Sequence, residues 1–118
     1  MAKKCEHYPQ DFKVNILFVC SRNKWRSATA ENIFKNHPAH QIRSAGTEPS
    51  ARIKINAKLI IWADLIFVME KKHQQRITQR FPEELYDKEV ITLDIPDEYQ
   101  YMDEELIDEI KTKTEGYL

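Results

Sequence analysis

The stretch VNILFVCSRNKWRSATA, Val14 to Ala30, decides how this chain of 118 residues is read. It opens on an apolar run, Val14, Ile16, Leu17, Phe18 and Val19, interrupted only by Asn15. Such a run suits a strand buried on both faces rather than one with a wet side. The strand ends in a thiol, Cys20, and a cationic loop follows: Ser21, Arg22, Asn23, Lys24 and Trp25. A helical pattern starts at Arg26 and Ser27. Loop amides and the first helical turn then converge on one spot, and the helix dipole and Arg26 add positive potential there. That is a place to hold an oxyanion. The same field favours a thiolate, which makes Cys20 a candidate nucleophile. Arg26, six positions on, supplies the planar fork that grips two oxygens of a phosphoryl group.

The rest of the chain is consistent with one small α/β domain. The length allows a single core, and 42% hydrophobic with 31% charged residues fits a globular fold. A formal net charge of −1 gives no general attraction to nucleic acid. No apolar segment approaches the roughly 18 residues needed to span a bilayer, so no membrane partner is expected. Residues 1–12 read as a polar, loosely held arm without an apolar signal region, and residues 13–118 as the domain. Two cysteines do not make a disulfide framework, and a working thiolate implies a reducing compartment, the cytoplasm. Cys5 and His7 lack the second ligand pair that a zinc site requires, so no metal is expected.

Downstream, strands and helices alternate. Ser27 to about Asn36 reads as a helix stopped by His37-Pro38, and Gln41 to Ala45 as a second strand ending at Gly46. Asn56 to Ile61 reads as a short helix, Asp64 to Met69 as a third strand, and Lys71 to Arg80 as a helix with Ile77 inward, broken at Phe81-Pro82. Glu89 to Leu93 reads as the fourth strand and Asp103 to Lys113 as the last helix, with Leu106, Ile107 and Ile110 toward the core. The alternation predicts a four-stranded parallel sheet with right-handed crossovers and helices on both faces. Ligands of such sheets bind beyond the carboxyl ends of the strands, where Cys20 falls. Trp62 and His73 read as core or surface residues. Asn23 tolerates a left-handed backbone and reads as a brace within the loop. Tyr99 and Tyr101 are candidates to flank the cleft and stack on an aromatic leaving group, or else to pack against the last helix.

Cys20, five residues, Arg26, then Ser27, placed between first strand and first helix, resembles the low-molecular-weight protein tyrosine phosphatases. Asn23 in the loop, Ser44-Ala45-Gly46-Thr47 and the apolar stretch Ala63 to Met69 are similar as well. The resemblance implies a cofactor-independent phosphomonoester hydrolase working through a phosphocysteine, with phosphotyrosine in a protein as the default substrate and a small phosphomonoester as the other. It implies that Ser27 donates to the Cys20 sulfur, alongside its ordinary value as a helix cap. It implies that Ser44 supports the loop through Asn23. The general acid it implies is an aspartate after the fourth strand, where the chain reads Leu93-Asp94-Ile95-Pro96-Asp97-Glu98-Tyr99. Asp97 fits best and Asp94 is the rival; the alternative for either carboxylate is to cap the last helix.

Three departures stand against the family pattern. Arg22 occupies a position where relatives carry glycine, so a positive φ there would strain it. Trp25 replaces a second cysteine that many relatives place beside the arginine. The segment between Gly46 and Ala63, which in relatives builds a cleft wall, is short. Two roles are open to Arg22 and Lys24: meeting a second anionic group of the substrate, or staying solvated. The alternatives are a catalytically weak phosphate- or phosphopeptide-binding module and a thiol-dependent arsenate reductase, for which only Cys5 offers a second thiol.

Overall fold

The computed structural model describes residues 14–118; Cys5, His7 and the expected arm lie outside them. Four strands form one parallel sheet: β1 (Val14–Cys20), β2 (His40–Gly46), β3 (Leu65–Val68) and β4 (Glu89–Thr92), in the spatial order β2-β1-β3-β4. Five helices connect and follow them: α1 (Arg26–Phe34), α2 (Ala57–Trp62), α3 (Lys71–Arg80), the single turn α4 (Pro82–Leu85) and α5 (Glu104–Thr114). Among the described residues no helix is long and apolar enough to cross a membrane.

The unbroken apolar character of β1 has its physical reason in this order. β1 is internal, and alternate side chains enter two separate cores. Val14, Ile16, Phe18 and Cys20 pack with Ala30 of α1 and with Leu106 and Ile110 of α5. Leu17 and Val19 pack with Ile60 of α2, Ile77 of α3 and Leu85 of α4. β3 is fully buried in the same way, and Phe67 stacks on Phe18 at 5.2 Å. Each such side chain removed from water contributes about 2–3 kcal/mol. The expected fold class, a parallel four-stranded sheet with helices on both faces, is therefore the one observed; Ile107 alone of the three α5 positions is only half-buried.

From β1 the chain passes to β2 on one side and later to β3 on the other. The sheet order reverses at β1, and the crevice of such sheets opens at that point. Register puts Cys20 opposite Gly46. The short segment after Gly46 folds back on itself: Gly46 donates to Ile53 O at 2.8 Å and accepts from Ile55 N at 2.9 Å.

Candidate active site

The carbonyls of residues 20 to 23 are tied outward. Thr47 N donates to Cys20 O (2.9 Å), Glu48 N to Ser21 O (2.8 Å), Arg52 N to Arg22 O (2.9 Å) and Arg52 Nε to Asn23 O (3.1 Å). In a trans peptide the N–H points opposite to the C=O, and the described chain holds no cis bond. The amides of residues 21 to 24 are therefore turned inward. The one whose target is a protein atom confirms the direction: Asn23 N lies 3.2 Å from Cys20 Sγ. The segment after Gly46, expected from its shortness only to leave the cleft open, is thus also the outer brace of the loop.

Asn23 is wholly buried with φ of 56°, in the left-handed region that asparagine tolerates. Its Nδ2 donates to Ser27 Oγ at 2.7 Å and to Ser44 Oγ at 2.8 Å. Ser44 in turn hydrogen-bonds the carboxylate of Glu31. Arg22 is not among the residues with positive φ, so the strain expected there falls on no arginine; the turn is made one position later, at Asn23. Ser27 Oγ lies 3.0 Å from Cys20 Sγ. It does not cap α1, whose N-cap is Trp25 and has no side-chain cap. The first-turn amides of α1 consequently remain available to an anion. Asn23 N–H addresses the sulfur, and the Ser27 hydroxyl lies within hydrogen-bond reach both of the sulfur and of Ala45 O at 3.3 Å.

Arg26 is 2% exposed. Its Nη1 is anchored to Glu70 Oε1 and to Ile95 O, both at 2.8 Å. The Nε edge stays on the pocket side, with Asp97 Oδ1 at 3.7 Å. Burial tends to raise the Glu70 carboxyl, but the hydrogen bond and charge of Arg26, with Lys72, outweigh it and hold the group below its ordinary range. Neither Glu70 nor Ile95 was distinguished by sequence; both act from strand ends that only the fold brings to Arg26.

His73 was read as core or surface. It is fully buried beneath the loop, and its ring joins two groups. Glu70 N donates to Nδ1 at 3.0 Å, which leaves the proton on Nε2, 2.9 Å from Ser21 Oγ. Burial first, and the charge of Arg26 second, lower its pKa to about 4, so the ring is neutral near pH 7. Ser21 Oγ accepts from this ring, and its own hydroxyl proton is free to turn into the pocket it lines.

The pocket over the sulfur measures about 360 Å³ and is bordered by Cys20, Ser21, Arg26 and Asp97, with Arg22, Lys24 and Trp25 at its rim and Glu48 across from them. Glu48 is paired with Arg76 at 3.0 Å. Asp97 is 58% exposed at its side chain. Asp94 is elsewhere, with φ of 58° and its carbonyl accepting from Lys113 Nζ. Neither caps α5, since Asp103 does so through Glu105 N. Tyr101 borders a neighbouring groove and meets Asn32 through its hydroxyl; Tyr99 is half-buried against the core and is not brought to the sulfur. Trp62 lies partly buried on the other core, with Arg43 4.4 Å over its ring.

Residues 15–61 match the family model described as low molecular weight phosphotyrosine protein phosphatase. A curated relative, the low molecular weight protein-tyrosine-phosphatase Ptp of Acinetobacter johnsonii, is 35% identical over 58% of this chain. The match spans 65% of that relative, just under two thirds of its length. Among solved structures, the Erwinia amylovora tyrosine phosphatase AmsI superposes with a TM-score of 0.67 at 23% identity, covering 93% of this chain and 95% of its own. Vibrio vulnificus Wzb, solved with benzylphosphonate, gives 0.66 at 24%, covering 88% and 94%. These two are likenesses of fold. Together with the motif, the matched segment and the curated relative, they make the chain similar to the low molecular weight phosphotyrosine protein phosphatases, over residues 15–61 by sequence and more widely by fold.

Proposed function

We propose that the chain is a phosphomonoester hydrolase that uses Cys20 as nucleophile and acts on phosphotyrosine in proteins. The observation that carries this reading is the sulfur itself, addressed by Asn23 N–H and within reach of the Ser27 hydroxyl at the floor of a loop whose amides turn inward. In the first step the Cys20 sulfur attacks phosphorus, the S–P bond forms and the ester P–O bond breaks. The inward amides and the Nε edge of Arg26 hold the equatorial oxygens as charge spreads over them. Asp97, on the open side of the pocket, gives its proton to the departing oxygen. In the second step the Asp97 carboxylate takes a proton from water, the water oxygen bonds to phosphorus and the sulfur leaves, helped by the Ser27 hydroxyl. No metal or cofactor takes part. Cys20 is the single cysteine among the described residues and Trp25 stands beside Arg26, so a thiol relay of the arsenate-reductase kind has no described partner. A nucleophilic thiol without an adjacent resolving thiol belongs in a reducing compartment, and we place the protein in the cytoplasm.

A second reading, a phosphate-binding module with little turnover, is favoured by one observation: Asp97 rests against Arg26 and is largely exposed, without a second partner among the described residues to fix it over the sulfur. Acid quenching during turnover of para-nitrophenyl phosphate separates the two. The hydrolase accumulates protein heavier by one phosphoryl group on Cys20 and releases nitrophenol; Cys20→Ser does not turn over. Phosphate binding with no covalent adduct and no nitrophenol in the wild type would establish the module instead.

A further inference from the structure

Beside the pocket, and sharing Lys24 and Trp25 with it, lies a larger groove of about 570 Å³. Its floor is a helical stripe, Trp25, Ala28, Glu31, Asn32 and Lys35, spaced three and four apart along α1. The groove therefore starts at the N-terminal end of α1, where the sulfur is, and runs to the C-cap, Lys35. At 1.5 Å per residue from Arg26 this is about 14 Å, the reach of about four residues of extended chain. Tyr101 forms one bank and Arg52 the other. Arg52 is fixed by its backbone N to Arg22 O and its Nε to Asn23 O, which aims the remaining guanidinium at the groove. Glu31, the one acid along it, is engaged by the Ser44 hydroxyl and lies 3.8 Å from Arg52. With Arg52 paired to Glu31, the two remaining cations, Lys24 and Lys35, leave the groove net positive between two aromatic side chains.

From this arrangement we infer that the groove receives an extended peptide whose phosphorylated residue enters the Cys20 pocket and whose acidic side chain, three or four positions away, meets Lys35. The inference rests on the phosphatase reading and adds its substrate class. Length decides for a peptide over a small phosphomonoester: a phosphoryl group held at the sulfur leaves the stripe along α1 untouched. Charge decides for an acidic flank, because the groove's own acid is already occupied. The short segment after Gly46 lets the peptide leave the pocket sideways along α1.

The test is a scan of phosphotyrosyl peptides of one composition with a single aspartate moved from one to five positions on either side of the phosphotyrosine. Para-nitrophenyl phosphate serves as the reference substrate. The expected result is a kcat/KM about three- to tenfold higher for an aspartate at three or four positions on one side, lost at high salt. Lys35→Ala should remove the preference and Lys35→Glu reverse it, measured as the ratio of peptide to reference. Equal kcat/KM at every placement, with the reference still hydrolysed, overturns the groove and spares the phosphatase reading. Adenosine 3′,5′-bisphosphate outcompeting every peptide overturns it as well, in favour of a nucleotide. If nothing is hydrolysed, fluorescence anisotropy of the same peptides still decides the groove: loss of acidic-peptide binding in Lys35→Glu sustains it, and unchanged binding sinks it.

Discussion

Two loops meet over the sulfur, and they are built in opposite ways. The loop after β1 is clamped: Asn23, Ser27 and Arg26 are buried, three of its carbonyls and that of Cys20 accept from the 47–52 segment, and a chain of hydrogen bonds runs from Ser27 through Asn23 and Ser44 to Glu31. The loop after β4 is held by backbone hydrogen bonds near its ends, with the looser Asp97–Arg26 contact at 3.7 Å between them. Ile95 is held by Met69 and Arg26, and Met102 N by Thr29 Oγ1, while Pro96, Asp97 and Glu98 between them are exposed. The contrast follows the chemistry proposed. The cradle must present the same charges to phosphorus in both steps, so rigidity serves it. The acid loop must release an alcohol and then admit water, so exposure serves it.

That contrast is most open to breaking where the same loss of activity should carry opposite costs in stability. Asn23→Ala removes two buried donors and puts a Cβ-bearing residue without a polar anchor at positive φ. It should lower kcat/KM by about a hundredfold and stability by about 2–3 kcal/mol, read from urea unfolding beside the assay. Asp97→Ala should also lower kcat by about a hundredfold, more for phenyl phosphate than for the better nitrophenyl leaving group. Its unfolding midpoint should stay within about 0.5 kcal/mol of wild type. An unstable Asp97→Ala, or an Asn23→Ala that unfolds like wild type, would erase the distinction.

Acid should expose the clamped side next. The His73 pKa lies at about 4 in the fold against 6.5 for the free ring, so the unfolded chain binds the extra proton between those values. Stability therefore falls as pH drops from about 6.5 toward 4, by up to about 3 kcal/mol. His73→Gln, which keeps a donor for Ser21 and an acceptor for Glu70 N, should flatten that slope. Glu70 works in a lower window: its pKa is depressed in the fold, so its contribution is present above about 4.5 and lost below. A melting temperature independent of pH between 6.5 and 4 in the wild type would remove His73 from this role. The smallest effect expected is that of Asp94→Asn, which keeps a residue tolerant of the left-handed backbone; its kcat should remain within about twofold of wild type, confining the acid to Asp97.

The strand, the loop and the helix start could be read from Val14 to Ala30 because each is a local signal: apolar run, thiol, cations, helical spacing. Asn23 was legible too, since few side chains tolerate φ above zero. His73 was not, because a helix reading of Lys71 to Arg80 asks only which residues face the core. A histidine at the third position after Glu70 was the available clue, being able to accept from the N-cap amide. Glu70 and Ile95 escaped because they reach Arg26 from 44 and 69 residues away. The shortness of the segment after Gly46 was legible, but its backbone hydrogen bonds to the loop were not, because they depend on register between β1 and β2, which no local pattern carries.

Gly46 shows what that register enforces. A Cβ there would sit 2.5 Å from Ser21 O and 2.9 Å from Arg22 C, both main-chain atoms, and 2.7 Å from the Ala51 Cβ. The floor of the anion pocket is thus a wall with no room for plaster: β2 and the loop after Cys20 touch backbone to backbone. On the chemistry proposed, the depth at which a phosphoryl group would settle follows from how two strands align, so a slip between them would alter that chemistry without changing a single residue assigned to it.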